Sequence, residues 1–354
     1  MITGDSIQQP INPNDPLRWD IELPLRGTFY PVGFPLEITT NSYELLAAAE
    51  ASWGRFAKSF SAPSIQIRLG VLPSASTVCP PAPSARGQQN LITLIADQEN
   101  HVALDTREGF AFGWLSEAAV CDRAYLRYHF LEATVWILLD SLYLTSVHAA
   151  CVALDGRGVL LCGDGGAGKS SLSYACARNG WTFLSDDSTK LIRRRQKRLV
   201  TGNPYQIRFR DSATELFPEL GRQPVSARLS GELSIELATA EHPAIAVTTE
   251  CAVDYLVFLN RHEPEPEGLF WFPKDRALQW LEQVVCYGEE RVRDEHKAEL
   301  RALVSAETLE MRYSSMDAAL RLLEALVRKG PGVAHRHLTT ARGSYDGSSS
   351  SFSS

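Results

Sequence analysis

The stretch that decides the fold is Gly158-Val-Leu-Leu-Cys-Gly-Asp-Gly-Gly-Ala-Gly-Lys-Ser-Ser171. Residues 163–170 within it match the phosphate-loop pattern G-x-x-x-x-G-K-[ST] at every position. The apolar run 159–162 before the loop is typical of a buried strand. After the loop, apolar residues recur at helical spacing until Asn179-Gly180. A strand, a glycine-rich loop and a helix are the setting that this motif requires, so the stretch predicts a nucleotide-binding α/β domain.

The predicted phosphate cradle is made of backbone N–H groups rather than side chains. Four glycines, at positions 163, 165, 166 and 168, allow the backbone positive φ angles and a close approach to a ligand. Successive N–H groups then surround a phosphate, and the positive end of the following helix adds to the attraction. The Lys169 ammonium is placed to reach the β- and γ-phosphates, and the Ser170 hydroxyl to bind Mg²⁺. The residues expected to bind the nucleotide here are Gly163, Asp164, Gly165, Gly166, Ala167, Gly168, Lys169, Ser170 and Ser171.

Two carboxylates end a second informative stretch, Trp181-Thr-Phe-Leu-Ser-Asp-Asp187, whose apolar part is typical of a short buried strand. Because the stretch follows the helix directly, we expect it beside the strand 159–162, with both carboxylates at the same sheet edge as Lys169. Phosphoryl transfer needs one acid to accept the proton of the acceptor hydroxyl and another to hold the metal. Adjacent side chains on a strand point to opposite faces, so Asp186 and Asp187 would have separate tasks. The alternative is that one of them closes a turn.

The two stretches together resemble a known family. The run from His148 to Ser170, followed by residues 179–187, resembles the catalytic domain of HPr kinase/phosphorylase and, more closely, the HPr-kinase-like proteins. The resemblance covers roughly residues 124–328 and is strongest over 147–210. It implies an α/β fold, namely an HPr-kinase/PEP-carboxykinase-like P-loop domain with a mixed β-sheet.

The resemblance also implies roles for individual residues. It makes Asp186 the base toward the substrate serine, with Lys169 and His148 as the other catalytic residues. His148 begins the hairpin that leads to the loop, where an imidazole can orient a phosphate or an aspartate. The alternative for His148 is a hydrogen-bonded core residue. Ser170 and Asp187 are then the residues that hold Mg²⁺.

Two positions depart from the family pattern. Ser171 stands where the HPr-specific enzymes usually carry an acid, and Gln206 begins a Gln-Ile-Arg segment where they have Glu-Ile-Arg. These departures argue against HPr itself as the substrate, and more strongly against the reverse phosphorolysis. In the same segment, Arg208 is expected to bind the nucleotide and neutralise phosphate charge. The alternative is a surface strand on which Arg208 forms an ion pair with Asp211 or Glu215.

The function that these residues predict is that of an ATP-dependent serine kinase. It would transfer the γ-phosphoryl of Mg-ATP to a serine on a protein or peptide. A small metabolite such as free serine is an alternative acceptor, and a catalytically weak nucleotide-sensing module is an alternative function. An ordinary phosphate-loop motor or GTPase is disfavoured, because the chain lacks an Asn-Lys-x-Asp base-recognition motif. Relatives form symmetric assemblies, so a homo-oligomer is expected by analogy.

Length and composition are those of an ordinary soluble protein. The chain has 354 residues, of which 44% are hydrophobic and 22% charged. A single core seldom grows far past about 250 residues, so two domains are expected. The net charge of -7 argues against a nucleic-acid-binding surface over the whole molecule. No apolar run approaches the ~18 residues of a membrane span, the N-terminus lacks a signal-peptide pattern, and the seven cysteines lack metal-type spacing. We therefore expect a cytoplasmic protein that binds neither membrane nor nucleic acid.

The predicted organisation is two domains and a tail. Residues 1–120 form an α+β N-terminal domain of unknown role that starts with a loose arm, and residues 121–330 form the catalytic P-loop domain. The Ser-rich residues 331–354 have too little apolar content to fold and are expected to be disordered. A buried helix capped by its first residue is expected over 122–144. The basic run 193–198 is either a solvated hairpin tip or a docking patch for an acidic partner.

Two further expectations concern single elements. The segment 73–89, rich in Ser and Pro, is expected to be a loop. The apolar run 253–259 is expected to be a central strand. Arg261 stands just past its end, where ligands often meet sheet edges.

Overall fold

The computed structural model describes residues 21–74, 76–195, 198–223, 225–227, 233–261, 265–283 and 289–335. The predicted arm over residues 1–20 and most of the predicted tail, from 336 onward, lie outside these described residues. The fold is mixed α/β, with sheets of seven, nine and three strands. Within the described ranges, no helix combines the length and the apolar character needed to cross a bilayer.

The N-terminal part is a seven-stranded sheet covered by helices on one face. Its strands lie in the order β1-β2-β3-β7-β6-β5-β4, with β2, β3 and β7 parallel to one another and the other pairs antiparallel. The elements are β1 (Leu25–Phe29), β2 (Leu36–Thr40), α1 (Tyr43–Trp53), β3 (Ile65–Leu72), β4 (Ser84–Gln88), β5 (Leu91–Ile95), β6 (His101–Asp105), β7 (Phe110–Ser116) and α2 (Glu117–Cys121).

The helix expected over 122–144 is present, and it packs on the N-terminal sheet. It runs through α3 (Arg123–Tyr125), a π-helical segment (Leu126–Glu132) and α4 (Ala133–Leu142). The predicted cap is confirmed, because Asp122 Oδ1 accepts a 3.0 Å hydrogen bond from the Tyr125 N–H. The apolar face of the helix lies in the same buried cluster as β2, β3 and β6. The predicted domain boundary at residue 120 stays a prediction, and the helix that follows it shares the core of the N-terminal sheet.

The loop predicted over 73–89 contains a strand, so that prediction is wrong at its end. Gln88 of β4 pairs with Leu91 of β5 in an antiparallel hairpin at the sheet edge. All five residues of β4 are exposed, so its sequence carries no alternation of apolar and polar residues. In contrast, β5 buries Ile92 and Leu94 and shows the alternation that predicts a strand.

The second part of the chain forms the nine-stranded and three-stranded sheets. Its first elements are β8 (Leu144–Val147), β9 (Ala149–Leu154), β10 (Arg157–Cys162), α5 (Lys169–Arg178), β11 (Thr182–Ser185), β12 (Thr189–Ile192), β13 (Leu199–Thr201) and β14 (Gln206–Arg210). The remaining elements are β15 (Val225–Ala227), β16 (Leu233–Ala238), β17 (Glu250–Asn260), β18 (Gly268–Trp271), α6 (Lys274–Leu281), α7 (Glu290–Leu303), β19 (Glu307–Arg312) and α8 (Met316–Lys329).

The strand β10, which leads into the glycine loop, lies inside the nine-stranded sheet. The order is β11-β9-β10-β17-β13-β12-β8, with β19 also on β17 and β18 on β19. The expectation that β11 lies beside β10 is therefore wrong. The hairpin partner β9 pairs with one edge of β10, and the parallel strand β17 pairs with the other. The strand β11 pairs instead with the far side of β9.

The central strand of this sheet is β17, as expected. Its first residues pair with β13 and its later residues pair in parallel with both β10 and β19. Helices cover both faces, because α5 and α8 share one buried cluster with the sheet, and α6 and α7 share another. Burial on both faces explains why β17 is apolar over most of its length.

Arg193 and Arg194, which begin the basic run 193–198, bind a helix of the same chain. Arg193 is buried and pairs with Glu295 of α7 at 3.2 Å. Arg194 pairs with the same carboxylate at 2.9 Å, and its backbone N–H donates to Glu299. These contacts show an internal partner for this part of the run, whereas residues 196 and 197 lie outside the described residues.

Removing a buried ring from the helix that follows residue 122 should destabilise the N-terminal part. Phe130→Ala should lower the free energy of unfolding by about 3–5 kcal/mol, because the fully buried ring would leave a cavity. Tyr128→Ala is the matched control. That ring is 57% exposed, so the change should be within about 0.5 kcal/mol. Urea unfolding followed by circular dichroism measures both, and equal losses would contradict this packing.

Candidate active site

The glycine loop connects β10 to α5 and curls back on itself. Gly166 and Gly168 have φ angles of 88° and 94°, a conformation that side chains other than glycine rarely adopt. At Gly163 a Cβ atom would lie 2.8 Å from the Cβ of Ala167, so the two ends of the loop touch. The positive φ angles fall at 163, 166 and 168 and not at Gly165. The loop therefore has the tight turns that a phosphate cradle requires.

The Lys169 ammonium lies inside this curl. It donates hydrogen bonds to the backbone carbonyl oxygens of Gly163, at 2.7 Å, and Asp164, at 3.3 Å. It also lies 3.1 Å from His148 Nε2 and 3.4 Å from Asp187 Oδ1. The side chain is only 6% exposed, and a buried ammonium needs such partners. The structure thus brings together five of the residues predicted for the site.

His148 lies at the break between β8 and β9, which belong to different parts of the sheet. Its Nδ1 is 3.5 Å from Asp187 Oδ1. The ammonium of Lys169 can only donate, so Nε2 must accept and the proton of a neutral ring sits on Nδ1, facing Asp187. Burial lowers the pKa of His148 below 6.5; the negative charge of Asp187 opposes this shift and the charge of Lys169 adds to it. The imidazole is therefore mostly neutral at pH 7.

The two adjacent aspartates have different surroundings. Asp186 is partly buried, and its Oδ2 accepts a 2.6 Å hydrogen bond from the backbone N–H of Arg208. Burial raises the pKa of Asp186, the Arg208 N–H opposes this rise and the negative charge of Asp187 adds to it, and together they bring the pKa to about 6. Asp187 is 51% exposed and faces Lys169 and His148. The Asp186 carboxylate therefore has a pKa close to neutral pH, and the Asp187 carboxylate is accessible to solvent and cations.

The residues predicted to hold Mg²⁺ are both at the mouth of the loop. Ser170 is partly exposed on the first turn of α5, next to Lys169, whose ammonium contacts Asp187. Mg²⁺ is usually held by one or two protein oxygens plus water and substrate phosphates. The described residues contain no cluster of three or more metal-binding side chains, which such a site does not need. A hydroxyl and a solvent-exposed carboxylate fit a magnesium ion that a nucleotide brings with it.

The Arg208 guanidinium pairs with a residue that neither sequence alternative named. Its Nε is 3.1 Å from Glu236 Oε1, because Arg208 of β14 stands opposite Glu236 of β16 in the ladder. The ion pairs suggested with Asp211 or Glu215 are replaced by this one. Through its backbone N–H, Arg208 also holds Asp186. The predicted contact of this guanidinium with phosphate stays a prediction.

Four residues that the motif does not include also lie against the loop. Trp280 Nε1 donates to Asp164 Oδ1 at 3.1 Å, and the Tyr313 hydroxyl donates to the carbonyl of Ala167 at 3.4 Å. Arg261 Nη1 is 3.9 Å from the position of a Cβ on Gly168, and Arg210 Nη1 is 3.3 Å from that position on Gly166. Arg261 and Tyr313 come just after β17 and β19, strands parallel to β10 that end at the same sheet edge. A position just after the end of a strand is therefore the sequence feature that indicates Arg261 and Tyr313. The sequence-based expectation named Arg261 alone.

Comparison with known proteins shows a weak similarity in fold to a solved structure. No protein-family model matches the chain, and no curated protein matches it. A solved structure that it resembles is the Hpr(Ser) kinase/phosphatase from Coxiella burnetii, with 15% sequence identity and a TM-score of 0.29. The match covers 52% of this chain and 94% of the other. A resemblance at that TM-score gives no information about the residues of the site.

The ionisation of His148 tests the contacts around Lys169. Its pKa should be below the ordinary 6.5 in the native protein. Asp187→Asn should lower it further by removing a negative charge, and Lys169→Met should raise it by removing a positive one. NMR titration of the imidazole resonances measures the three values, with an exposed histidine as reference. Shifts in the opposite directions would contradict the observed arrangement.

Proposed function

We propose that the chain is an ATP-dependent kinase that transfers the γ-phosphoryl of Mg-ATP to a serine hydroxyl on a protein or peptide. The observation that carries the proposal is the cluster around the loop. The Lys169 ammonium is 3.4 Å from Asp187 Oδ1, and the neighbouring Asp186 has a pKa raised to about 6. A phosphate-binding cation, a metal-binding carboxylate and a basic carboxylate are the parts that phosphoryl transfer needs.

The loop would bind the triphosphate through its backbone. In the free protein, the carbonyls of Gly163 and Asp164 hold the Lys169 ammonium within the curl. When phosphate oxygens enter, Lys169 exchanges carbonyl partners for charged ones, which make stronger hydrogen bonds. The side chain is already ordered, so little conformational entropy is lost on binding. The N-terminus of α5 adds its positive end. The proposed nucleotide-binding set remains residues 163–171, together with Arg208 as predicted.

Ser170 and Asp187 are proposed as the protein oxygens that hold Mg²⁺. A magnesium ion bound with the nucleotide would neutralise phosphate charge. Asp187 already lies next to the Lys169 ammonium and His148, so its carboxylate is held in place before the nucleotide arrives. The neutral imidazole donates its Nδ1–H toward Asp187 and orients it, which gives His148 a positioning role.

Asp186 is the proposed base. The backbone N–H of Arg208 fixes one oxygen of its carboxyl group at 2.6 Å. A pKa of about 6 leaves Asp186 mostly ionised at pH 7 yet more basic than an ordinary aspartate. A base works best when its pKa is near the working pH. It would take the proton of the serine hydroxyl as the new oxygen–phosphorus bond forms.

A polypeptide acceptor fits the openness of the site. The side chains of His148 and Asp187 are 46% and 51% exposed, so a bulky partner can reach both. The choice of a serine rests on the resemblance of the sequence. An oligomer formed from copies of this chain remains a proposal by analogy.

Two substitutions separate nucleotide binding from transfer. Lys169→Ala should abolish detectable ATP binding, because the loop loses the cation that meets the phosphates. Asp186→Asn should keep ATP affinity within about threefold and lower transfer by about 10²–10⁴-fold, the usual contribution of a general base. Calorimetry with Mg-ATP and transfer of labelled phosphate in a cell extract measure the two steps. Normal transfer by the Asp186→Asn protein would exclude it as the base.

The pH profile of transfer gives an independent test of the base. A base must be deprotonated, so activity should fall about tenfold per pH unit below the pKa of Asp186, near pH 6 rather than near 4. ATP binding measured over the same range is the control. An acid limb below pH 5 in the native protein would contradict the assignment.

A further inference from the structure

The strand β4 forms one edge of the seven-stranded sheet. Within the described part of the chain it pairs with β5 alone, and all five of its residues, Ser84–Gln88, are exposed. An edge strand presents a row of backbone N–H and C=O groups that can pair with another extended segment. Edge strands are often protected by a proline or a bulge, and β4 has neither. Its outer edge is therefore suited to accept a further strand.

A cavity of about 770 Å³ lies between this edge and the start of α7. Its walls come from β4, from the two turns at the same end of the sheet and from the first residues of α7. The described lining residues are 85–87, 89, 92, 107, 289–291 and 293. Sites for bound ligands typically have volumes of about 300–1,000 Å³. The edge of β4 thus borders a space large enough for the side chains of a partner.

The walls of this cavity carry an excess of positive charge. The described lining residues include four arginines and two glutamates, although the chain as a whole has a net charge of -7. Arg107 pairs with Glu289 at 2.7 Å. Arg291 pairs with Glu295 at 2.6 Å, but two further arginines share that carboxylate. One carboxylate cannot neutralise three guanidinium groups, so the cavity favours an anionic partner.

The other two arginines of the cavity are Arg86 and Arg293. Both are exposed, and among the described residues neither side chain forms a hydrogen bond or an ion pair. Arg291 and Arg293 also lie near the N-terminus of α7, where the positive end of the helix dipole disfavours cations. Residues placed against a local preference are typical of functional positions. An anion bound in the cavity would pair with these guanidinium groups and reduce their repulsion with the dipole.

We propose that β4 and the adjoining cavity bind an extended acidic segment of a polypeptide. The segment would pair its backbone with the outer edge of β4, as in β-strand addition. Alternate side chains of an extended chain point to the same side, so acidic residues at alternate positions would enter the cavity. There the guanidinium groups of Arg86 and Arg293 would each bind a carboxylate through paired hydrogen bonds. The assignment of this segment to the acceptor polypeptide rests on the proposed function.

Fluorescence anisotropy with a labelled peptide of alternating glutamate and threonine tests the proposal. The native protein should bind this probe, and added salt should weaken the binding because the contacts are ionic. Replacing both Arg86→Gln and Arg293→Gln should weaken it by about 10-fold, the effect of losing two solvent-accessible ion pairs. Arg26→Gln is the matched control, because Arg26 is an exposed arginine on β1, the opposite edge of the same sheet. That change should alter the affinity by less than about twofold.

A second probe separates strand pairing from simple attraction of charge. It is the same peptide with a methyl group on every backbone nitrogen, which keeps all the carboxylates and removes the backbone donors. This probe should bind the native protein at least about 10-fold more weakly, because the hydrogen bonds to β4 are lost.

Four outcomes bear on the proposal. Equal binding of the methylated probe overturns strand addition and leaves a cavity for free anions. Equal affinity in the native protein and the double variant, or an equal loss in Arg26→Gln, overturns the site. A native protein that does not bind the probe overturns it too, and ATP binding by the same preparation then leaves the kinase proposal intact. Binding of the probe without binding of Mg-ATP overturns the proposed function and supports the peptide site.

Discussion

A buried ammonium is the constraint on which the site depends. Lys169 is 6% exposed and carries its charge inside the curl of the loop. Burying an ammonium group is costly unless each of its N–H donors has a hydrogen-bond acceptor. The surrounding chain therefore has to supply acceptors. Two loop carbonyls, one imidazole nitrogen and one carboxylate oxygen do so. Meeting this requirement brings β9, β10, α5 and the end of β11 to one point.

The two adjacent aspartates beside this ammonium differ in their surroundings. Asp187 faces the ammonium and remains open to solvent, whereas Asp186 turns toward the backbone of β14 and is partly desolvated. Its surroundings alone therefore raise the pKa of Asp186 above that of an ordinary aspartate. A bend after β11 is enough to direct the side chains to different partners.

The features that were predicted correctly from the sequence are local ones. The loop, the strand before it, the helix after it and the cap at Asp122 depend on residues within a few positions of one another. The expected proximity of Lys169 and Asp187 is present at 3.4 Å, although the strand adjacency from which it was expected is not. The hairpin that leads to the loop is present as β9 and β10. The placement of β11 beside β10 was wrong, because strand order is decided by pairing across the sheet and β11 pairs with the far side of β9. β4 was missed because its residues are all exposed and carry no pattern.

The residues that sequence reasoning missed at the site share a physical reason. Arg210, Trp280 and Tyr313 reach the loop from segments 42 or more residues beyond the Gly168 turn, and no spacing within the motif points to them. Their positions follow from the register of β14 on β16, from the packing of α6, and from β19 running parallel to β17. The pairing of Arg208 with Glu236 likewise follows from this register, which a linear sequence does not reveal.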